Sequence, residues 1–562
     1  MSTHARPLAT WLAAADDDAL TSLFRARHIS ADPGWDDFFD AAESLTEQGS
    51  IHRALDALPR TDADTLLSAR DGAAITGATR ERLTGMALLD ASGSLLTPVR
   101  EQLMDRTVPE SADVVEPLPA DDVAAARAAE RATRTMTQLA EMLLAARETP
   151  LGLLATGAMA AGERKRLAEA DVHDAEMLRV LAESAGLLRS ASRALHTTAA
   201  GEAWLLLPFA ERWQHIVDAF RRSLPEGIRD DGEVIPSAAW DDAYPWSPEW
   251  PERAATLRSC VRLLGVETST GAEPEWAAFF RRGERDALAG LAALVPAEVD
   301  KVFLQNDLTA ISPGTLLPAL EIRLRNMAER DVTQSSSYRF TPESLGHALV
   351  EGESAEGIVA FLTDISLTGL PQPLMYLIEQ TAQRHGLVRV SDGEQGSVVT
   401  SRDAQLLDTI SVDRRLRPLA LHLEDGMLVS RVSPDTAYWA LIDARYPATL
   451  VDPEGNAVSK RRGSTVPASP DEPVDYAPLI ARLRSHQGAD ADAAWLDREL
   501  EAAVRTRTQL RVEIAMPDGS SRELTLEPTG LGGGRLRGRD LSADVERTLP
   551  VRSIRSVHVV GD

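Results

Sequence analysis

The chain has 562 residues, 44% of them apolar and 26% charged, with a formal net charge of −27. A single apolar core stops growing at about 250–300 residues, so this length with an ordinary globular composition predicts several folded domains and excludes a largely disordered chain. Its single cysteine, Cys260, excludes an internal disulfide and any multi-cysteine zinc or iron–sulfur site, and the acidity argues against generic polyanion binding while leaving room for a local basic face.

No export signal is expected, because Trp11-Leu12-Ala13-Ala14-Ala15 runs straight into Asp16-Asp17-Asp18. No stretch reaches the ~18 apolar residues of a membrane span. These features predict a cytoplasmic chain with no membrane partner. The fold class expected is multidomain α+β, mainly helical, with winged-helix-like N-terminal units, a central β-α-β-α-α-α-β module and a small C-terminal β-barrel. The domains fall at 1–105, 121–300, 301–390, 391–455 and 476–562.

Residues 1–105 read as helices followed by a hairpin. Leu20, Leu23 and Phe24 form one apolar edge, and Trp35, Phe38, Phe39 and Leu45 form another. Helices near 62–69 and 78–88 lead to Leu88-Leu89 and Leu95-Leu96 across a Gly93 turn, the ending of a winged helix. Helix 78–88 is then the recognition helix, with Arg80 and Arg82 set to meet phosphate. Residues 60–90 hold four Arg against five Asp and Glu, however, which suits better a winged helix used for protein packing.

Thr107 to Asp122 is acidic and Pro-containing, the composition of a linker. An Ala-rich helix follows at 121–147, with Leu139, Met142 and Leu143 as its stripe, and a second wing-like unit spans 150–205. There Arg164, Lys165 and Arg166 are candidate phosphate contacts, or simply a solvated helix face. Residues 204–300 are helical around Trp240-Asp241-Asp242-Ala243-Tyr244-Pro245-Trp246-Ser247-Pro248-Glu249-Trp250. Aromatics this dense can stack on bases. Flanked by acids and without interleaved Arg or Lys, they suit better a loop anchored to the helices or facing a partner.

Lys301 to Ile311 reads as one apolar strand ending at Ser312-Pro313-Gly314. A helix at 315–329 follows, closed by polar residues from Asp331 to Ser337, and Tyr338-Arg339-Phe340 is a short strand. Thr341 with Pro342 opens one helix, Ser354 a second, and Leu370-Pro371-Gln372-Pro373 a third that ends at His385-Gly386 before the strand Leu387-Val388-Arg389-Val390. Asp307 is a lone carboxylate, best placed as a turn residue.

Three phrases in this module carry a resemblance: Phe303-Leu304-Gln305-Asn306-Asp307-Leu308-Thr309, Tyr338-Arg339-Phe340-Thr341-Pro342-Glu343-Ser344-Leu345 and Leu370-Pro371-Gln372-Pro373-Leu374-Met375-Tyr376-Leu377-Ile378-Glu379. Together they resemble bacterial helicase-associated proteins with a domain like the N-terminal region of XPB-type helicases. The resemblance covers about 90 of 562 residues. It implies a role beside DNA helicases in DNA repair or genome maintenance, with an XPB-type DNA helicase as partner. Pro371, Met375 and Tyr376, off the core stripe, are the candidate partner contacts.

Residues 401–450 mix the strand Leu428-Val429 with a helix through Trp439, Leu441 and Ile442. Asp452 to Tyr476, with Lys460-Arg461-Arg462, reads as a linker. Helices at 476–486 and 491–505 precede Leu510-Arg511-Val512-Glu513-Ile514, a turn at Pro517-Asp518-Gly519, and Arg522-Glu523-Leu524-Thr525-Leu526. With Gly534-Arg535-Leu536-Arg537-Gly538, Arg547 and Arg552-Ser553-Ile554-Arg555-Ser556-Val557, this end resembles the small β-barrel of WYL-domain proteins, although the naming Trp-Tyr-Leu phrase is missing. Residues 460–562 carry 16 Lys and Arg against 16 Asp and Glu, so this end is neutral. Arg535, Arg537, Arg539, Arg552 and Arg555 are therefore candidate nucleic-acid contacts, through which DNA binding would be weak, or else the charged outer faces of edge strands.

The only lysines are Lys165, Lys301 and Lys460, and none follows a glycine, so the Gly-Lys-Ser/Thr of a P-loop is absent. The eleven histidines form no metal-ligand spacing, and no Gly-x-Ser-x-Gly elbow occurs. From these absences the sequence is read as non-catalytic, with no catalytic residue, cofactor or metal. Three classes of function follow: a helicase-associated, DNA-linked accessory protein, a WYL-type sensing regulator, and an enzyme of unrecognised type.

Overall fold

The computed structural model describes residues 5–110, 116–330, 337–393, 396–453, 455, 458, 474–486, 491–516 and 520–560. Asp331 to Ser336, Lys460-Arg461-Arg462 and the expected turn Pro517-Asp518-Gly519 lie outside the described residues. The chain is a mixed α/β protein, about half helical, with several small sheets and no closed barrel among the described residues. It divides into two units, one of residues 1–116, 224–258 and 469–562 and one of residues 117–223 and 259–468.

In the first unit, helix Ala5–Ala14 is followed by Asp17–Ala26 and Phe38–Thr46, and these two begin where short acidic side chains satisfy free backbone N–H groups. Asp16 accepts from the Ala19 N–H at 2.7 Å, and Asp37 forms a capping box with Asp40. Their apolar stripes do not close on each other alone. Leu12, Leu20, Phe24, Trp35 and Phe38 share one core with Tyr476, Leu479, Ile480, Leu483 and Trp495, which come from Tyr476 and the helices Ala477–Ser485 and Ala491–Thr506. Arg498 fastens the same junction, donating to Asp37 at 3.1 Å and to Asp40 at 2.5 Å.

A second core in this unit holds Ile51, Leu55, Leu66, Leu83, Leu88, Leu89, Leu95 and Leu103. The expected recognition helix is the shorter Gly77–Gly85, and the expected wing strands reduce to one bridge between Leu89 and Leu95. Asp90 explains the reduction: its carboxylate accepts from the N–H groups of Ser92 and Ser94, closing a tight turn that ends the pairing. The Trp-rich segment is an anchored loop. Trp240 and Trp250 are buried, Trp250 donates to the Trp240 carbonyl at 2.5 Å, and Trp246 donates to the Thr107 carbonyl at 2.9 Å.

The C-terminal sheet runs Val545–Pro550, Arg535–Asp540, Ser521–Gly532, Leu510–Ala515, Ile554–Val559, antiparallel throughout. Its two edge strands are joined by only the turn Val551–Ser553. A flat five-stranded sheet would set its edges about 19 Å apart, whereas four residue steps reach about 14 Å at most, so the sheet must curl. The edges nevertheless do not pair, so the small β-barrel expected from the sequence is corrected to a curled sheet that is not closed among the described residues.

In the second unit, helix Asp122–Glu148 is followed by strand Leu151–Gly152, helices Ala161–Glu169 and Ala175–Ser184, and strands Leu188–Ala191 and Ala194–Thr197, which form a three-stranded sheet. Further on, the strand expected over 301–311 is a hairpin. Phe303–Leu304 pairs with Thr309–Ile311 because Asp307 accepts from the Thr309 N–H at 3.2 Å and Leu308 adopts φ +67°, reversing the chain inside the apolar run. Strands Ser337–Arg339 and Glu329–Arg330 complete a four-stranded sheet, covered by helices Pro318–Met327, Pro342–Val350, Ala355–Ile365 and Gln372–Arg384.

The expected closing strand of this module belongs elsewhere. Val388–Gly393 sits in a separate five-stranded sheet, between Gly396–Ser401 and Ala448–Leu450, and buries Val388 and Val390 against Leu407, Ile410, Tyr438 and Leu441. The β-α-β-α-α-α-β order is thus corrected to a four-stranded module followed by a second α/β layer pair.

Candidate functional site

The four-stranded module leaves several large apolar side chains exposed. Pro342 at the helix start and the reciprocal Thr341 and Ser344 bonds, both at 3.0 Å, fix one helix, while Ser354 caps the next. Their inward residues, Leu345, Ile358, Phe361, Leu362 and Ile365, leave the loop 366–371 on the outside. This loop is stitched to the first strand. Val302 bridges Ser366 in parallel, Leu367 N–H donates to the Val302 carbonyl at 2.9 Å, and the Thr368 hydroxyl donates to the Leu304 carbonyl at 2.9 Å.

That register sets Phe303 and Leu367 on the same side, with Val302 and Leu304 turned into the core. Phe303 is 40% and Leu367 53% exposed. Pro371 then ends the loop half-buried, and the first turn of the following helix leaves Met375 37% and Tyr376 66% exposed while Leu374 and Ile378 are buried. Of the expected partner contacts, Met375 and Tyr376 therefore do face outward. Phe303 and Leu367 were missed by sequence reasoning, since an apolar residue in an apolar run gives no sign that its strand has an open face.

An ion network fixes this module within its unit. Glu141, on helix Asp122–Glu148, accepts from Arg325 at 2.6 and 2.9 Å and from Arg330 at 2.9 Å, and Arg330 lies 3.6 Å from Glu321. Burial holds the nearby Tyr338 hydroxyl well above the ordinary tyrosine range, and the Glu321 carboxylate beside it adds to the effect. On the outer surface Arg323 makes a two-pronged pair with Glu353, at 2.8 and 2.9 Å, and lies over the Phe361 ring.

A cavity of about 70 Å³ adjoins this network, lined by Glu141, Arg212, Glu298, Glu321, Arg325 and apolar groups including Met136 and Leu316. Burial pulls the Arg212 guanidinium down to about 10, and its donors are taken by the Trp204 and Leu205 carbonyls.

The expected nucleic-acid residues fall into separate groups. Arg164, Lys165 and Arg166 lie on helix Ala161–Glu169; Arg166 donates to Glu163 at 2.9 Å and to the Thr149 carbonyl, and Lys165 stands 3.9 Å from Glu169. The next helix, Ala175–Ser184, packs against Phe209–Ser223, and Cys260 Sγ donates to the Met177 carbonyl at 3.7 Å. In the first unit, Arg82 is held by the fully buried Asp62 and by Glu226, and Arg80 donates to the Ala91 carbonyl. In the C-terminal sheet Arg535, Arg537 and Arg539 are exposed along one strand, Arg552 is in the connecting turn, and Arg555 is on the opposite edge strand. Among the described residues no group of His, Cys, Asp and Glu is arranged to hold a metal ion, and no helix is long and apolar enough to cross a membrane.

Residues 302–425 match the family model described as a helicase conserved C-terminal domain. The match runs through the four-stranded module and into the first strands of the second sheet. A particular relative is the DNA 3'-5' helicase XPB of Mycobacterium tuberculosis, 28% identical over 141 residues, which is 24% of this chain and 23% of that protein. The chain thus spans about a quarter of the length of the curated relative it matches.

These similarities support a helicase-related region, and they overturn the expectation that the chain is not an enzyme, since both point to helicases. That expectation rested on the missing Gly-Lys-Ser/Thr. One phosphate-binding element tests one way of holding a triphosphate, and its absence does not decide what a helicase-related region does. No comparison supports the resemblance of the C-terminal end to WYL-domain proteins.

Proposed function

We propose that this chain works in a DNA-helicase reaction serving DNA repair or genome maintenance, with 302–425 as its helicase-related region and an XPB-type helicase as partner. The observation that carries the reading is the helicase match at 302–425, laid over a module that leaves several large apolar side chains exposed. Phe303, Leu367, Pro371, Met375 and Tyr376 are the contacts. Aromatic and methionine side chains on a rigid frame anchor interfaces well, because burying them removes much apolar area from water with little rotamer entropy lost.

Acidity supports the same assignment. Helicase motors hold nucleic-acid backbone on basic tracks, toward which a chain of net charge −27 is steered. The test is strand separation of a forked duplex, with ATP turnover, by the full chain alone, by an XPB-type helicase alone and by both. Strand separation by the chain, or a helicase rate changed by the chain and restored by Tyr376→Ala, supports the reading. Tyr376→Ala should weaken co-elution about 30-fold, the effect of roughly 2 kcal/mol at an interface anchor, without moving the melting temperature. No strand separation by the chain, together with an unchanged helicase rate and no co-elution, refutes it.

A further inference from the structure

We propose that the hairpin end formed by strands Ser521–Gly532 and Arg535–Asp540 is a nucleic-acid backbone site in which Arg535, Arg537 and Arg552 hold phosphate groups. The inference deepens the DNA-helicase reading above and rests on it. Strand alternation starts the argument. Leu536 is buried in the sheet's core, so Arg535 and Arg537 project from the opposite face, and both are exposed.

Their cross-strand neighbours are unusual for a charged strand. On one flank Arg535 faces Gly532 and Arg537 faces Gly530; on the other they face Pro550 and Thr548. Among the described residues neither guanidinium meets a carboxylate there, and neither forms an ion pair. Gly530 and Gly532 carry no side chain, so past the bulged, exposed Thr529 a ligand's backbone can lie close to the sheet beside the arginines. Gly533 and Gly534 turn the hairpin at φ +60° and +68°, and the Val551 N–H donates to the Gly534 carbonyl at 2.9 Å. This last bond brings the exposed Arg552 to the same end.

Three other arginines of the sheet are engaged, while Arg522 and Arg555 are exposed and form no ion pair among the described residues. Arg539 faces Glu527 and Glu546 and is paired with Asp544; Arg547 lies 2.6 Å from Asp540; Arg511 lies 3.1 Å from Glu523. Pairing thus occupies Arg511, Arg539 and Arg547, whereas the hairpin end gathers Arg535, Arg537 and Arg552 beside two glycines. Two guanidiniums two residues apart on one strand stand about 6.6 Å apart at their Cα atoms, and each can grip a phosphate with two parallel N–H donors. The glycine flank, which offers no side-chain pockets, favours a uniformly charged backbone over an acidic peptide.

The experiment measures anisotropy of fluorescent single-stranded DNA, duplex DNA and RNA of equal length with the full chain, at several salt concentrations, with polyglutamate as competitor. The source is the probe held tightest. Arg535→Ser/Arg537→Ser/Arg552→Ser should weaken that probe at least tenfold and flatten the dependence of log affinity on log salt by about 2–3, the loss of about three phosphate contacts. Arg25→Ser/Arg402→Ser, which removes exposed charge elsewhere, should change affinity less than twofold, and Arg535→Lys/Arg537→Lys should keep the salt slope. The site is overturned by no binding of any probe, by an unchanged slope in the triple variant, by equal loss in the Arg25/Arg402 control, or by polyglutamate competing as well as nucleic acid. No helicase is present, so failure here is separate from failure of the strand-separation test.

Discussion

Glu141→Ala should destabilise the second unit by about 2–3 kcal/mol. The carboxylate accepts three charge-assisted bonds, from Arg325 at 2.6 and 2.9 Å and from Arg330 at 2.9 Å. Side-chain exposure is 17% for Glu141, 26% for Arg325 and 28% for Arg330, between the limits of open surface and deep interior. A fully exposed pair contributes about 0–1 kcal/mol, and breaking a fully buried one costs about 3–5 kcal/mol, so two shared, three-quarters-buried pairs belong between.

Glu321, 3.6 Å from Arg330, keeps that cation partly compensated and holds the figure below the upper limit. Denaturant unfolding reads the change, and hydrogen exchange locates it: amides of helix Pro318–Met327 should lose protection first. Glu130→Ala, which breaks an exposed pair about three turns earlier on the same helix, is the reference and should cost only about 0.3 kcal/mol. Replacing Glu141 and Arg325 together by apolar residues should recover part of the loss, because the stranded cation is then gone. A Glu141→Ala cost under about 0.5 kcal/mol, or one equal to that of Glu130→Ala, would refute the reasoning.

Two pH effects follow from the same physics. Bonds from Ser542 and Arg547 hold the fully buried Asp540 carboxyl down to about 2, so its contribution to the C-terminal sheet is complete above the ordinary aspartate range and is lost as pH falls toward 2. Asp540→Asn should lower stability at neutral pH and flatten acid unfolding of this region, read by circular dichroism; an unchanged acid limb counts against the assignment. His385 Nε2 is buried without a hydrogen-bond partner, and burial lowers its pKa. The unfolded chain then binds the proton more readily, so stability falls as pH drops below the ordinary histidine range, and His385→Asn should remove that slope between pH values of about 7 and 5.

The sequence alone determined the helices of the matched region. Helices at 342–350, 355–365 and 372–384 were legible because capping and amphipathic spacing are contained within one or two turns: Thr341, Ser354 and Pro371 stand at the starts, and Leu345, Ile358 and Leu374 face inward. The helices near 477–485 and 491–506 were legible for the same reason. Only the tertiary structure decided what those stripes pack against. Nothing in Leu479 or Trp495 announces that they share a core with Leu12 and Phe24, because an apolar stripe specifies that it is buried and not by which remote segment. The hairpin at 303–311 was hidden by a turn that lacks glycine and places Leu308 at positive φ. Charge behaved likewise: counting arginines gave candidates, but whether a guanidinium is spent or free depends on partners such as Asp62 for Arg82, Glu163 for Arg166 and Asp544 for Arg539, and on the glycines that leave Arg535 and Arg537 unflanked. Electrostatic pairing acts over a few ångströms in space, and chain separation carries no record of it.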